Sequence, residues 1–195
     1  MSPRVVELSA EALRERMGEA LTVYVEAMGY PPGTRSHRAP LWAEHAMRPG
    51  WGAVGGLSGD GSRQSLVGIA YGYRSARGQW WSEEVRTGLL AAGRSPVEVD
   101  GVLDGAFELT ELHVLPGQQG RRLGERLLRT LLAGRAEPRV VLSTPEVSDT
   151  DNRAWRLYRR VGFADLLRHH RFTGDPRPFA VLTRDLPLTG GDLAT

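Results

Sequence analysis

The residues best suited to chemistry fall in two stretches, Glu108–Gly124 and Asn152–Phe163. The first reads ELTELHVLPGQQGRRLG and joins two carboxylates, Glu108 and Glu111, and the imidazole of His113 to a turn at Pro116 and Gly117. Side chains alternate along a strand, so Glu108 and Thr110 share a face with Leu112 and Val114, while Glu111 and His113 share the other. Past the turn the chain enters a helix. Its first-turn N–H groups have no partner within the helix, and together with the positive end of the dipole they form an anion site. The turn lacks the Gly-Lys-Ser/Thr of a Walker loop and the three spaced glycines of a dinucleotide fingerprint. The second stretch, NRAWRLYRRVGF, has helical spacing and brings Asn152 and Tyr158 toward one face. A phenol there is either a proton donor or an ordinary core tyrosine.

Regular elements must position these groups. Arg4–Leu8 reads as a strand, Ser9 as an N-cap, and Leu8 with Leu13 as a hydrophobic staple. The spacing of Leu13, Met17, Leu21, Tyr24 and Met28 predicts one amphipathic helix over 10–28. The prolines of Tyr30–Gly33 break it, and a short second helix is expected over 40–48. Trp51–Leu57 and Ser65–Tyr73, separated by SGDGSR, read as a hairpin. A helix over Gln79–Ala92 precedes an irregular connection over Gly93–Asp104. Ala106–Val114 is then a strand, 115–121 a loop, and 122–133 a helix with Leu123, Leu127 and Leu131 on one face and Glu125 paired to Arg129. Val140–Ser143 is a strand, and Asn152–Val161 a helix closed by Gly162. Ala164–Phe172 and Phe179–Leu186 form a final antiparallel pair. This order describes an α/β domain with a mixed sheet rather than a doubly wound one. The domain is expected over 1–188, with a flexible tail over 189–195.

Composition narrows the chemistry further. A chain of 195 residues with 41% hydrophobic and 25% charged residues suits one globular domain. All 25 basic residues are Arg, so no Schiff base and no Walker lysine can form. The net charge is only +2 and the Arg are scattered, which gives no dedicated nucleic-acid surface. With no Cys, disulfides, thiolate metal ligands and a Cys nucleophile are excluded. The five His show no metal-ligand spacing, so no metal is expected. No apolar run approaches the ~18 residues that span a bilayer, and the N-terminus lacks the pattern of a secretory signal. The expected location is therefore the cytoplasm, with no membrane partner.

Taken together and in this order, the two stretches resemble the GNAT superfamily of acetyl-CoA-dependent N-acetyltransferases. Gln119 to Gly124 looks like that family's pyrophosphate motif, Gln/Arg-x-x-Gly-x-Gly/Ala. The second stretch is similar to its helix carrying Ala154, Leu157, Tyr158, Gly162 and Phe163 after an Asn. The resemblance implies a single GNAT-like domain with a central mixed, mostly antiparallel sheet flanked by helices and splayed between its fourth and fifth strands. It implies acetyl-CoA as co-substrate and an amine as acceptor, and it allows a homodimer. The end of the fourth strand, Leu112, His113 and Val114, would hold the pantetheine arm. The segment Gln119, Gly120, Arg121, Arg122, Leu123, Gly124 and Glu125 would hold the pyrophosphate. Asn152 would touch the arm, and Tyr158 would protonate the departing thiolate as general acid.

One departure is Arg122, which stands where the family prefers its first Gly. A position in the first helical turn, where Arg is tolerated and can pair with phosphate, is the expected reading. For the general base, Glu108 matches the position of a catalytic Glu in some family members, and Glu111 is the alternative if a bulge reverses the strand's parity. The acceptor site would be built by the N-terminal helices and the tryptophans Trp42, Trp51, Trp80 and Trp81. Two other functions remain open alongside direct acetyl transfer to an amine: a catalytically silent acetyl-CoA-binding or regulatory module, and a toxin-type acetyltransferase acting on aminoacyl-tRNA.

Overall fold

The computed structural model describes residues 2–60, 64–146 and 153–188. The expected tail, residues 61–63 of the hairpin turn, and Asn152 lie outside the described residues. In chain order the elements are β1 (Arg4–Leu8), α1 (Ala10–Glu15), α2 (Met17–Met28), α3 (Thr34–His45), β2 (Gly52–Ser58), β3 (Ser65–Arg74), α4 (Trp80–Ala91) and α5 (Pro96–Leu103). There follow β4 (Phe107–Val114), a 3-10 turn (Pro116–Gln118), α6 (Leu123–Leu132), β5 (Arg139–Pro145), α7 (Arg153–Arg160), β6 (Ala164–His170) and β7 (Phe179–Asp185). The strands form one sheet in the order β1-β2-β3-β4-β5-β7-β6. Antiparallel pairs join β1 to β2, β2 to β3, β5 to β7 and β6 to β7. Parallel pairing of β4 with β5 is confined to Phe107↔Val140 and Glu108↔Val141. The sheet is thus mixed and mostly antiparallel, as expected.

Three helices depart from expectation. The single helix over 10–28 is two, because Arg16 leaves helical geometry (φ −100°, ψ 15°). The break lets the Arg16 guanidinium reach both Glu19, at 3.0 Å, and the Gln64 carbonyl, at 3.3 Å. Glu19 in turn accepts the Leu66 N–H at 2.8 Å, so tertiary bonds to β3 replace a continuous helix. The short helix over 40–48 instead starts at Thr34 and carries Pro40 in its interior. Pro40 forgoes one helical hydrogen bond, and burial of Trp42 and His45 on the same helix offsets that cost. The connection over 93–104 contains α5. Ser95 and Glu98 form a complete capping box with Pro96 in the first turn, a start signal present in the residues themselves. Elsewhere the expected caps are in place: Ser9 Oγ accepts the Ala12 N–H at 3.1 Å, and Gly162 (φ 82°) closes α7.

The chain divides into two compact units, 1–73 with 109–133, and 74–108 with 134–195. In the first, α1, α2 and α3 bury Leu13, Leu21, Tyr24 and Trp42 with Ile69 and Tyr71 of β3. Gly56 and Gly68 face α6: a Cβ on Gly68 would meet Leu127 at 2.9 Å, and one on Gly56 would meet Leu123 at 3.2 Å. Only a glycine surface lets α6 pack this close. In the second unit, Val85 and Leu89 of α4 and Val99 and Leu103 of α5 pack with Val141 and Val181.

One polar group is sealed into the first core. His45 is 7% exposed, and its Nδ1 lies 3.0 Å from the Tyr71 hydroxyl. Burial, reinforced by the nearby Arg48 charge, lowers its pKa to about 4. His45 is therefore neutral in the fold at pH values where the unfolded chain takes up a proton. Stability from this site is complete above the ordinary value near 6.5 and is lost as pH falls toward 4. The loss amounts to about 3 kcal/mol. Denaturant titrations from pH 7 to 4 should show the wild type losing about that much more stability than His45→Gln.

Candidate functional site

The site grows from β4 and the turn that follows it. Glu111 and His113 share a face as alternation requires, with Glu111 Oε2 and His113 Nε2 2.5 Å apart. Their side chains are 13% and 11% exposed, shielded but still open to water. The His113 ring stands edge-on to Tyr24 of α2, with centroids 5.0 Å apart. Glu108, on the opposite face, is 2% exposed and belongs to the short parallel pairing with Val141. The two candidate bases are thus separated by solvent access: Glu111 is partly exposed, whereas Glu108 is enclosed.

Sequence reasoning missed the groups around Glu111. Arg38 of α3 lies over the Tyr24 ring, its guanidinium carbon 5.4 Å from the centroid, and its charge interacts with the Tyr24 hydroxyl. Burial, with the nearby Glu111 charge, raises the Tyr24 pKa to about 12, which keeps the phenol protonated. Burial works against the Arg38 charge, but Tyr24 and Glu111 outweigh it and hold the guanidinium above its ordinary value. A signal for this cluster exists in the sequence: Arg38, Trp42 and His45 recur at helical intervals. Placing the helix start at residue 40 hid it.

Beyond Val114 the backbone prepares an anion site. The Leu115 N–H still donates to Val67 of β3 at 3.0 Å. Gln119 Nε2 donates to the Val114 carbonyl at 3.0 Å, so that carbonyl, an expected contact for the pantetheine arm, is already engaged by a side chain. Gly120 (φ 80°) and Arg122 (φ 57°) both adopt left-handed geometry and turn the chain into α6. The Arg122 side chain makes no cap hydrogen bond to α6, and the first-turn amides lie at the positive end of the helix, where an anion is favoured. Arg121 and Arg122 are exposed beside them. The one carboxylate in that turn, Glu125, is drawn to Arg129 at 3.0 Å, which reduces its repulsion of an anion.

Arg122 corrects an expectation. It is not in the first helical turn but precedes it, in the left-handed region where Gly is at ease and an L side chain costs about 1–2 kcal/mol. The family's preference for Gly at this position therefore has a conformational reason that applies here too.

The second stretch is described from Arg153 onward. Tyr158 is 6% exposed, with its ring 5.4 Å from that of Phe163, and the Phe163 N–H returns to the Tyr158 carbonyl at 2.9 Å. The four tryptophans fall in different units. Trp42 and Trp51 belong to the core of the first unit. In the second unit Trp81 donates to Ser143 Oγ at 3.0 Å, and Trp80 rests on Phe172, more than half exposed.

Comparisons with known proteins agree with this geometry. The model of the acetyltransferase (GNAT) family matches residues 76–163. A GCN5-like protein acetyltransferase of Mycobacterium tuberculosis is 48% identical over 202 residues, covering 94% of this chain and 98% of the relative. Among solved structures, a GNAT-family acetyltransferase from Bacillus cereus is similar with a TM-score of 0.59 at 11% identity, over 95% of this chain and 98% of that one. An aminoglycoside 6'-N-acetyltransferase complexed with coenzyme A is similar with a TM-score of 0.59 at 15% identity, over 94% and 98%. At such identities the structural likeness speaks for the fold.

Arg122 offers a direct test of the turn. Arg122→Gly should stabilise the fold by up to about 1 kcal/mol, the relief of left-handed strain less the added chain entropy of Gly. Urea denaturation of the two proteins checks it. An unchanged or lower midpoint would show that the Arg122 side chain stabilises the turn by more than its backbone costs.

Proposed function

This chain belongs to the GNAT family of acetyltransferases, and from that premise we propose that it transfers the acetyl group of acetyl-CoA to a lysine side-chain amine of a protein. The observation that carries the cofactor half is the amide-rich turn into α6 flanked by Arg121 and Arg122, which suits a pyrophosphate. The acceptor half rests on the relative that is 48% identical along nearly the whole chain and is named a protein acetyltransferase. Leu112, His113 and Val114 supply the strand end for the arm, and Gln119 to Glu125 the phosphate turn. Asn152 keeps its proposed place beside the arm.

The chemistry follows from the groups at hand. Glu111, supported by His113, takes a proton from the ammonium of the acceptor. Its partial exposure is the reason to prefer it to Glu108. The free amine attacks the thioester carbon, forming the C–N bond and a tetrahedral oxyanion. Collapse of that intermediate breaks the C–S bond, the sulfur leaves with the electron pair, and the nitrogen, positively charged after the attack, gives its second proton to solvent. Tyr158 donates the proton that turns the thiolate into free CoA.

The reading is tested by adding acetyl-CoA and lysine-containing peptides and measuring free thiol with acetylated product by mass. Acetyl-CoA at a hundred times its Kd should stabilise the fold by about 2.7 kcal/mol. Stabilisation without any thiol release would indicate a silent binding module instead.

Two substitutions examine the roles. Glu111→Gln should lower kcat by about 100-fold or more, with a far smaller effect from Glu108→Gln. Tyr158→Phe should keep acetyl-CoA affinity but lower kcat by at most about 100-fold, because a thiol is already a good leaving group. Equal kcat for Tyr158→Phe and wild type, with chemistry rate-limiting, would reduce Tyr158 to a packing residue.

A further inference from the structure

Arg38, Trp42 and His45 lie on one face of α3. Trp42 is enclosed between Tyr24 and Tyr71, with ring centroids at 5.7 and 5.0 Å, and His45 is fixed on the Tyr71 hydroxyl at 3.0 Å. These two anchors leave α3 little freedom to move over β3. Arg38, one turn before Trp42, is only partly buried, and its guanidinium rests on the Tyr24 ring at 5.4 Å. The other neighbour of that ring is His113, at 5.0 Å, whose partner is Glu111. A single tyrosine therefore spaces a cation from the carboxylate–imidazole pair.

The charges in this cluster are not matched in contact. Glu111 is committed to His113 at 2.5 Å, and among the described residues Arg38 makes no ion pair within 4.0 Å. Other arginines removed from solvent do: the buried Arg86 pairs with Asp100 and Asp104, and the partly buried Arg135 with Glu137 at 3.0 Å. A guanidinium resting on a fixed aromatic ring and holding, among the described residues, no carboxylate within ion-pair distance is a planar fork that suits a carboxylate.

We propose that Arg38 binds a carboxylate carried by the acceptor close to the reacting amine, so that the enzyme selects lysines with an Asp or Glu immediately beside them. This rests on the acetyl-transfer reading with Glu111 at the amine. The ammonium then meets Glu111 while the neighbouring carboxylate meets Arg38, and the two contacts fix the acceptor's direction. Arg38 is a specificity residue and takes no part in proton transfer. A free amino acid could offer the same carboxylate, so the test separates the sources.

The experiment measures kcat and KM for two acceptor pairs: a lysine peptide with Glu beside the lysine against the same peptide with Gln, and free lysine against lysinamide. The acidic peptide should show a kcat/KM about 10-fold or more higher, the size expected of a hydrogen-bonded charge pair, expressed mainly in KM. Arg38→Gln should bring the two peptides to the same value, and Arg38→Lys should restore part of the difference. Retained melting temperature and acetyl-CoA affinity would show that the variants are folded. A preference for lysine over lysinamide that disappears in Arg38→Gln, without a peptide preference, would support carboxylate recognition but assign it to a free amino acid. Equal kcat/KM within both pairs, or a preference that survives Arg38→Gln, overturns the inference while leaving acetyl transfer intact. No transfer to any of the four acceptors overturns the acetyl-transfer reading, and this inference with it.

Discussion

The candidate site depends on how closely α6 packs against β2 and β3. With Gly56 and Gly68 facing the helix, a Cβ on Gly68 would meet Leu127 at 2.9 Å and one on Gly56 would crowd Leu123 at 3.2 Å. That contact fixes the start of α6 relative to the end of β4, and so fixes where the first-turn amides point. The intervening chain has little choice of path. It must leave the ladder after Leu115, which still bonds to Val67, and enter the helix at Leu123. Two left-handed residues, Gly120 and Arg122, accomplish the turn. The strain at Arg122 is thus a consequence of helix packing elsewhere, and it is tolerated because α6 buries Leu123, Leu127, Leu128, Leu131 and Leu132.

The two faces of β4 divide the labour. One carries Glu108, enclosed in the sheet's parallel pairing. The other carries Glu111 and His113 toward Tyr24 and Arg38. Glu111 and Arg38 on this second face stay partly exposed, while the aromatic rings of Tyr24, Trp42 and Tyr71 pack edge to face beside them. His45 shows the cost of the same environment: once fully buried, an imidazole there is forced neutral.

Much of this was legible in the residues themselves. The strand–turn–helix of Glu108–Gly124, the hairpin of β2 and β3, the Ser9 and Gly162 caps and the Glu125–Arg129 pair all depend on local spacing and local chemistry, and all are present. The capping box of Ser95 and Glu98 was equally local; a loop reading of a Gly- and Asp-containing stretch passed over it. Local patterns persist in the fold because they are satisfied within a few residues, whatever the rest of the chain does.

Tertiary structure decided the remainder, each time through partners distant in sequence. Periodicity alone ran one helix through Arg16, and only the bonds to Gln64 and, through Glu19, to Leu66 explain the break. Propensity placed a helix start at Pro40, and burial of Trp42 against Tyr24 and Tyr71 carried the helix through it. Alternation paired Glu111 with His113 but could not tell which face of β4 was sealed and which met Arg38. Nor could spacing reveal that Arg122 would be left-handed, since a backbone angle at a turn is set by the elements on either side. The sequence by itself determined the kinds of groups and their local frames. Packing between distant segments determined which of those groups stayed accessible, and accessibility separates a carboxylate that can exchange a proton from one that is enclosed.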